Sequence, residues 1–292
     1  MSLITIMEDD VCFFVTEKCN SNCIMCPMSE DSRKRGRCEG WEEWHQSLKL
    51  IPCDVSHITI TGGEPFLEYE KTIWLISQLN SIAPRATIQI LTNGRALCLP
   101  GIQEKLQPVI TRNTQFAIPI HADEPSLHDK ITRSQGSFIQ SIDGLRFLST
   151  TIAQIEIRII GHALNESCLN RIPGMLLHNG IRIDVLNYIA MEMNGCAARN
   201  REVLWLDYRR FFEDVKPSLV SLVKSGVNVN LYNFPLCCVD KNYWTIAKNS
   251  ISLWKRRYYS ECDTCSMRHG CGGLFRSTFL LNLCRVHRIE EA

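Results

Sequence analysis

The chain has 292 residues, 32 Lys and Arg against 31 Asp and Glu, and 15 cysteines. A formal net charge of +1 gives no general electrostatic case for a nucleic-acid or anionic-membrane partner. Hydrophobic and charged contents of 45% and 22% exclude a disordered chain, and the length allows a large α/β domain with a small appendage, or two ordinary domains. An odd number of cysteines would leave a closed disulfide framework with a thiol over. Met1–Met7 runs directly into Glu8, Asp9 and Asp10, without the basic region or apolar length of a signal peptide. No run reaches the roughly 18 apolar residues of a membrane helix. The expected compartment is therefore the reducing cytoplasm, where clustered cysteines more often hold metal than pair with one another.

In chain order, strand-like runs fall at Val11–Thr16, His57–Thr61, Thr87–Leu91, Gln115–Ile120, Ile155–Ile160, Ile181–Ile189 and Val227–Tyr232. Helical patterns lie between them at Trp41–Leu50, Glu68–Ser81, Phe138–Leu148, Leu169–Asn179 and Tyr208–Ser225. Strand followed by helix, repeated, implies parallel strands joined by crossovers. The expectation is an α/β fold, a partial (β/α)6 barrel over residues 1–234. Residues 235–292 form a small cysteine-rich extension, too poor in regular apolar pattern to build its own core and suited to a metal staple. The charged stretch Ser29–Arg37 reads as a solvated loop.

Cys19, Cys23 and Cys26 follow the first predicted strand with the spacing CxxxCxxC. Three thiolates within eight residues can converge on one metal site, and their softness suits iron–sulfur or zinc. A structural zinc site closes with four ligands, whereas three cysteines leave a corner open. An open iron at the C-terminal end of a strand is where an α/β barrel places chemistry. The bland account is three unrelated buried cysteines. Further along, Thr61-Gly62-Gly63-Glu64-Pro65 follows the second strand, and Thr92-Asn93-Gly94 ends the third. The glycines allow close backbone approach, and the Glu64 carboxylate can accept bonds from an ammonium group. Arg158, inside the apolar run Ile-Glu-Ile-Arg-Ile-Ile, requires an anionic partner.

These features, in barrel order, resemble the radical S-adenosylmethionine (radical SAM) enzymes. The resemblance implies that Cys19, Cys23 and Cys26 hold a 4Fe–4S cluster, with the open iron chelated by the amino and carboxylate groups of SAM. By the same resemblance Gly62, Gly63, Glu64 and Pro65 serve the methionine amino group, and Asn93 approaches the ribose or methionine portion. Arg158 is implied to meet the SAM carboxylate, with an internal salt bridge as the alternative. Met25 stands where an aromatic residue near the adenine is common, and a thioether can pack on a π-face.

Near the C-terminus, Cys262, Cys265 and Cys271 form CxxCx5C among Gly270, Gly272 and Gly273. A fourth ligand is expected from Cys237 or Cys238, zinc being the structural alternative; His269 is a further candidate ligand. The pattern resembles a shortened auxiliary-cluster domain (SPASM/twitch-like) of peptide-modifying radical SAM enzymes. Phe275 stands where the full domain has another cysteine, which implies a single auxiliary 4Fe–4S cluster. Cys284 is either a replacement ligand or buried, and Cys53, Cys98, Cys168 and Cys196 are assigned to packing.

The stretches TEKCNSNCIMC, ITITGGEP, LTNGR, IEIRII, LYNFPLC and ECDTCSMRHGCGG together resemble the HxsC-type maturases of the His-Xaa-Ser peptide system. That resemblance implies reductive cleavage of SAM to a 5′-deoxyadenosyl radical and modification, by crosslinking or oxidation, of a ribosomally made peptide. It also implies a partner radical SAM protein and a reductant such as ferredoxin or flavodoxin, with no membrane partner. The alternatives are a radical SAM enzyme acting on a small molecule or RNA nucleoside, and a zinc-stabilised interaction protein. No acid–base residue is selected by sequence; His121, Asp123 and His128 are candidates by position, and a salt-bridged loop is the blander account.

Overall fold

A computed structural model describes residues 4–7, 10–38, 40–52 and 54–290. Nine strands lie side by side in chain order: β1 (Ile4–Met7), β2 (Asp10–Phe14), β3 (His57–Thr61), β4 (Thr87–Leu91), β5 (Thr114–Pro119), β6 (Gln154–Gly161), β7 (Val185–Ala190), β8 (Asn228–Tyr232) and β9 (Ala247–Lys248). β1 pairs antiparallel with β2, and every later pair is parallel. Sequential order in a parallel sheet is the winding of a barrel, and among the described residues no ladder joins β9 to β1. The barrel is therefore partial, as expected. Helices such as Tyr69–Ile82, Pro100–Leu106, Ser137–Ser149 and Tyr208–Lys224 form the crossovers. Cys53 lies outside the described residues.

Strand alternation sorts the side chains. Ile58 and Ile60, Ile88 and Ile90, Phe116 and Ile118, Ile155 and Ile157, Leu186 and Tyr188, and Val229 and Leu231 are all buried in one apolar cluster with the helices. The intervening positions face the other way and carry polar groups. Gln89 Nε2 donates to Gln115 Oε1 at 3.0 Å and to Glu156 Oε2 at 2.8 Å. Asn187 Nδ2 donates to Glu156 Oε1 at 2.7 Å, and Asn230 Nδ2 to Asn187 Oδ1 at 2.9 Å. This layer crosses β4 to β8 around the buried Glu156 carboxylate, and a fully bonded polar network of this kind fixes a unique arrangement.

One sequence expectation changes here. The Ser29–Arg37 stretch contains a helix, Glu30–Arg35, with no buried residue. It forms because Ser29 Oγ accepts from the Ser32 amide at 3.1 Å and Gly36 closes it in the left-handed region at φ 58°. A helix polar on every face has no periodicity for pattern reading to find. The extension packs against the barrel. β9 continues the main sheet, and Cys238, Val239, Leu274 and Cys284 pack into the same apolar cluster as the strands. Within it β10 (Arg256–Arg257) pairs antiparallel with β11 (Leu274–Phe275).

Candidate active site and second cysteine site

The C-terminal ends of the parallel strands surround a cavity of about 490 Å³. Its wall takes Cys19, Cys23, Met25 and Cys26 from the loop after β2, and Thr61, Gly62 and Gly63 from the end of β3. Asn93 from the end of β4, His121 beyond β5, Arg158 from β6 and Met191 and Glu192 beyond β7 complete the ring. The sequence-predicted cysteines, Met25, Gly62, Gly63, Asn93 and Arg158 thus meet at one place.

The cysteine loop is held from several sides. The Asn22 and Ile24 amides donate to Thr132 O and Ile131 O, both at 2.9 Å, at the end of the helix Pro125–Thr132. Arg95 was given no role by sequence, yet its Nη1 donates to Asn20 O, Ser21 Oγ and Ser134 Oγ. Asn93 Nδ2 donates to Asn20 Oδ1 at 2.7 Å while Asn93 Oδ1 accepts from the Arg95 amide at 3.0 Å. Asn93 lines the cavity, but its amide group is spent on fixing the loop. Under the loop, the Gly63 amide donates to Thr16 O at 2.6 Å and the Glu64 amide to Lys18 O at 2.8 Å. A Cβ on Gly63 would sit 2.2 Å from Lys18 O, so this contact between the two loops requires glycine.

At three expected ligand positions the side chains have partners within the protein or lie beneath the wall. The Glu64 side chain is fully buried and absent from the cavity wall. Its Oε1 accepts from Thr92 Oγ1 at 2.7 Å and the Phe66 amide at 3.0 Å, and its Oε2 from the Asn93 amide at 2.8 Å. Those donors bind it as a brace between the ends of β3 and β4, because a buried carboxylate must find partners where it lies. Pro65, also buried, starts a short 3₁₀ turn beneath the loop. Arg158 is only half-buried; its Nε lies 2.6 Å from Glu156 Oε1, so the anion beside it belongs to the barrel's own polar layer.

Burial pushes the Cys19 thiol up to about 11 and the Cys23 thiol up to about 12, and raises Cys26 as well. Without a cation the three are neutral thiols, and ligand thiolates form only with metal charge beside them. Among the described residues no three His, Cys, Asp or Glu side chains stand close enough to hold a single metal ion. Cys19, Cys23 and Cys26, soft donors on the wall of one roomy cavity, would suit a 4Fe–4S cluster.

The second cysteine set also comes together. Cys237, Cys262, Cys265 and Cys271 line one small cavity, while Cys238 is buried and does not line it. Amides point at these sulfurs: Leu236 and Gly273 donate to Cys271 Sγ, and Ile289 to Cys265 Sγ, each at 3.4 Å. Such N–H···S bonds suit thiolates holding an iron–sulfur cluster. Of the alternatives for the fourth position, the structure puts Cys237 with the other three. Cys284 is buried with its thiol at 3.7 Å from Arg285 O, and His269 does not line the cavity. The two cavities are neighbours, because Gly273 and Leu274 line the second and Phe275 the first.

Among the acid–base candidates, Asp123 is paired with Arg171 at 2.7 Å. His121 and His128 are buried with ring centroids 5.3 Å apart, and both ring nitrogens of buried His162 lack partners. Burial holds His121 well below its usual range and lowers His128 and His162 to about 4. The unfolded chain therefore binds more protons, so the stability held above the unfolded value near 6.5 is lost as pH falls towards 4. For His162 alone a fall from 6.5 to about 4 corresponds to about 3 kcal/mol. Urea melts between pH 7.5 and 4.5 should show this loss, reduced in His162→Gln.

A parallel partial barrel with three cysteines after its first parallel strand and a glycine pair after the next defines a class. Residues 13–170 match the model of the radical SAM superfamily, and the chain belongs to that superfamily. Among solved structures it is similar to Streptococcus suis SuiB bound to precursor peptide SuiA, with TM-score 0.60, 12% identity and coverage of 78% of this chain and 49% of that one. Native anSMEcpe with bound AdoMet gives TM-score 0.54 and 13% identity, covering 75% of this chain and 62% of the other. The probable GTP 3′,8-cyclase of Pyrobaculum aerophilum is 28% identical over 121 residues, 41% of this chain and 37% of the cyclase. The chain thus spans about half of SuiB and less of the cyclase. At such identities the solved structures carry the fold alone. Among the described residues no helix is long and apolar enough to cross a membrane.

Proposed function

We propose that the protein reductively cleaves S-adenosylmethionine and uses the resulting 5′-deoxyadenosyl radical to modify, by crosslinking or oxidation, a ribosomally made peptide. In this reading Cys19, Cys23 and Cys26 hold the SAM-binding 4Fe–4S cluster, and Cys237, Cys262, Cys265 and Cys271 hold an auxiliary one. When bound, the first cluster supplies the electron that breaks the sulfonium C–S bond of SAM. The protein's own part is positional. Gly62 and Gly63 let backbone approach the amino-acid end of SAM, Met25 offers a polarisable surface beside the adenine, and Arg158 contributes positive charge at the far wall. Glu64, Arg95 and Asn93 hold the cysteine loop, and the barrel wall excludes water.

The observation that carries the peptide reading is the second four-cysteine cavity lying next to the first through Gly273–Phe275. Removing two electrons from a peptide requires, after hydrogen-atom loss to the radical, a nearby acceptor for one more electron. A cluster ligated at Cys265 and Cys271 answers that need. The fold shared with SuiB, solved with its precursor peptide, supports the same reading. The 121-residue likeness to a probable GTP cyclase favours a nucleotide substrate as the second reading. We further propose a cytoplasmic location, a reductant such as ferredoxin or flavodoxin, and a companion radical SAM protein of the HxsC-type system.

Two measurements test this. Co-expression with short His- and Ser-rich peptides encoded nearby should change a peptide's mass; SAM cleavage without any such change, but with turnover of GTP, favours the second reading. Cys265→Ala should keep part of the SAM cleavage while losing product by more than about 100-fold, beyond the 10–100-fold typical of losing a residue that merely supports a ligand. Equal loss in both assays contradicts separate roles for the two cysteine sets.

A further inference from the structure

We propose that Arg33 is the uncompensated positive charge that raises the reduction potential of the SAM-binding cluster; this rests on the function proposed above. Arg33 lies in the helix Glu30–Arg35 and lines the same cavity as Cys19, Cys23 and Cys26. The helix is tied down by Arg199 to Glu30 at 3.7 Å and Arg35 to Glu17 at 3.6 Å. Arg33 Nη1 donates to Asn22 Oδ1 at 2.7 Å, between the first two cysteines of the loop, and Nη2 reaches Cys196 Sγ at 3.5 Å. Its Nε is buried and has no partner in the protein.

Cys196 is more than packing in this arrangement. It is buried, its amide donates to Cys26 O at 2.9 Å, and its sulfur receives both Arg33 and Arg199 at 3.5 Å. Gly195 before it has φ 54°, and a Cβ there would meet Pro27 O at 2.3 Å. The helix Gly195–Arg199 therefore clamps the end of the cysteine loop and the Arg33 side chain together.

The other charges on the cavity wall are paired. Arg158 has Glu156 at 2.6 Å, and Glu192 has Lys255 at 3.1 Å. Among the described residues no carboxylate lies within ion-pair distance of Arg33, and a guanidinium cannot shed its proton. An electron added to a thiolate-ligated cluster adds negative charge beside a fixed cation in a poorly solvated site, which stabilises the reduced state.

The test uses the anaerobically reconstituted full chain and a redox titration followed by electron paramagnetic resonance, with Cys19→Ala supplying the auxiliary-cluster signal for subtraction. Arg33→Gln should shift the midpoint of the SAM-binding cluster to more negative potential at wild-type iron content, with SAM affinity changed less than about threefold. Arg33→Lys, which keeps the charge, should shift it less than Arg33→Gln. A wild-type midpoint in Arg33→Gln overturns the proposal, as does a tenfold or greater loss of SAM affinity at unchanged midpoint, which would make Arg33 a SAM ligand. Loss of the cluster in both variants with the fold retained also overturns it, assigning Arg33 to loop architecture. A wild-type chain that takes up no iron and sulfide fails the proposed function itself, a distinct result.

Discussion

Cys19→Ala should abolish SAM cleavage, lowering 5′-deoxyadenosine formation by more than about 100-fold, since supporting residues around a metal centre alone account for 10–100-fold. Cys19 opens the loop, its sulfur accepts from the Ser21 amide at 3.4 Å, and among the described residues only Cys23 and Cys26 join it as cysteines on the cavity wall. Cys12 lies within β2, and Cys38 is separated from the cavity, with its sulfur beside Lys71 Nζ at 3.3 Å. The fold should survive, because Cys19 is only half-buried and the loop keeps its bonds from Arg95 and the helix Pro125–Thr132. Circular dichroism with iron quantification separates the two outcomes: a folded chain that retains only the auxiliary cluster's share of iron.

Gly63→Ala has the second large expected effect, and it works by a different route. The new Cβ would lie 2.2 Å from Lys18 O and 2.6 Å from Glu17 O. Both are backbone atoms of the strand-to-loop segment leading into Cys19, so no side chain can swing aside. Overpacking of this kind costs about 1–3 kcal/mol or more. The simplest relief moves the cysteine loop away from Gly62 and Gly63, which should cut iron incorporation and SAM binding together. Gly101→Ala is the control: nothing lies within 4 Å of its Cβ and it sits in the helix Pro100–Leu106, where replacing glycine gains about 0.5–1 kcal/mol. Thermal melts should separate the pair clearly.

Much of this arrangement was legible in the residues. Alternating β-branched runs gave the parallel strands, since Ile at every second position must face the helices. The spacing of Cys19, Cys23 and Cys26 and the glycine pair named the mouth of the barrel. The orientation of Glu64 is not legible in the motif, which reports a residue's place along the chain and not the direction of its side chain; three donors hold the carboxylate where it lies. Of the two partners open to Arg158, the internal salt bridge is present, with Glu156 two residues away on the same strand face, where the period of two puts it. Arg33 and Cys196 were hidden for a different reason. They meet across 163 residues of chain, through a short polar helix without a periodic signal. Long-range polar contacts of this kind leave no local trace in composition or spacing.

Metal analysis after anaerobic reconstitution decides whether the two cysteine sets hold two iron–sulfur clusters. The expected result is about eight iron and eight sulfide per chain, two 4Fe–4S clusters, falling by about half in Cys19→Ala. Zinc bound without sulfide, at either set, would contradict it.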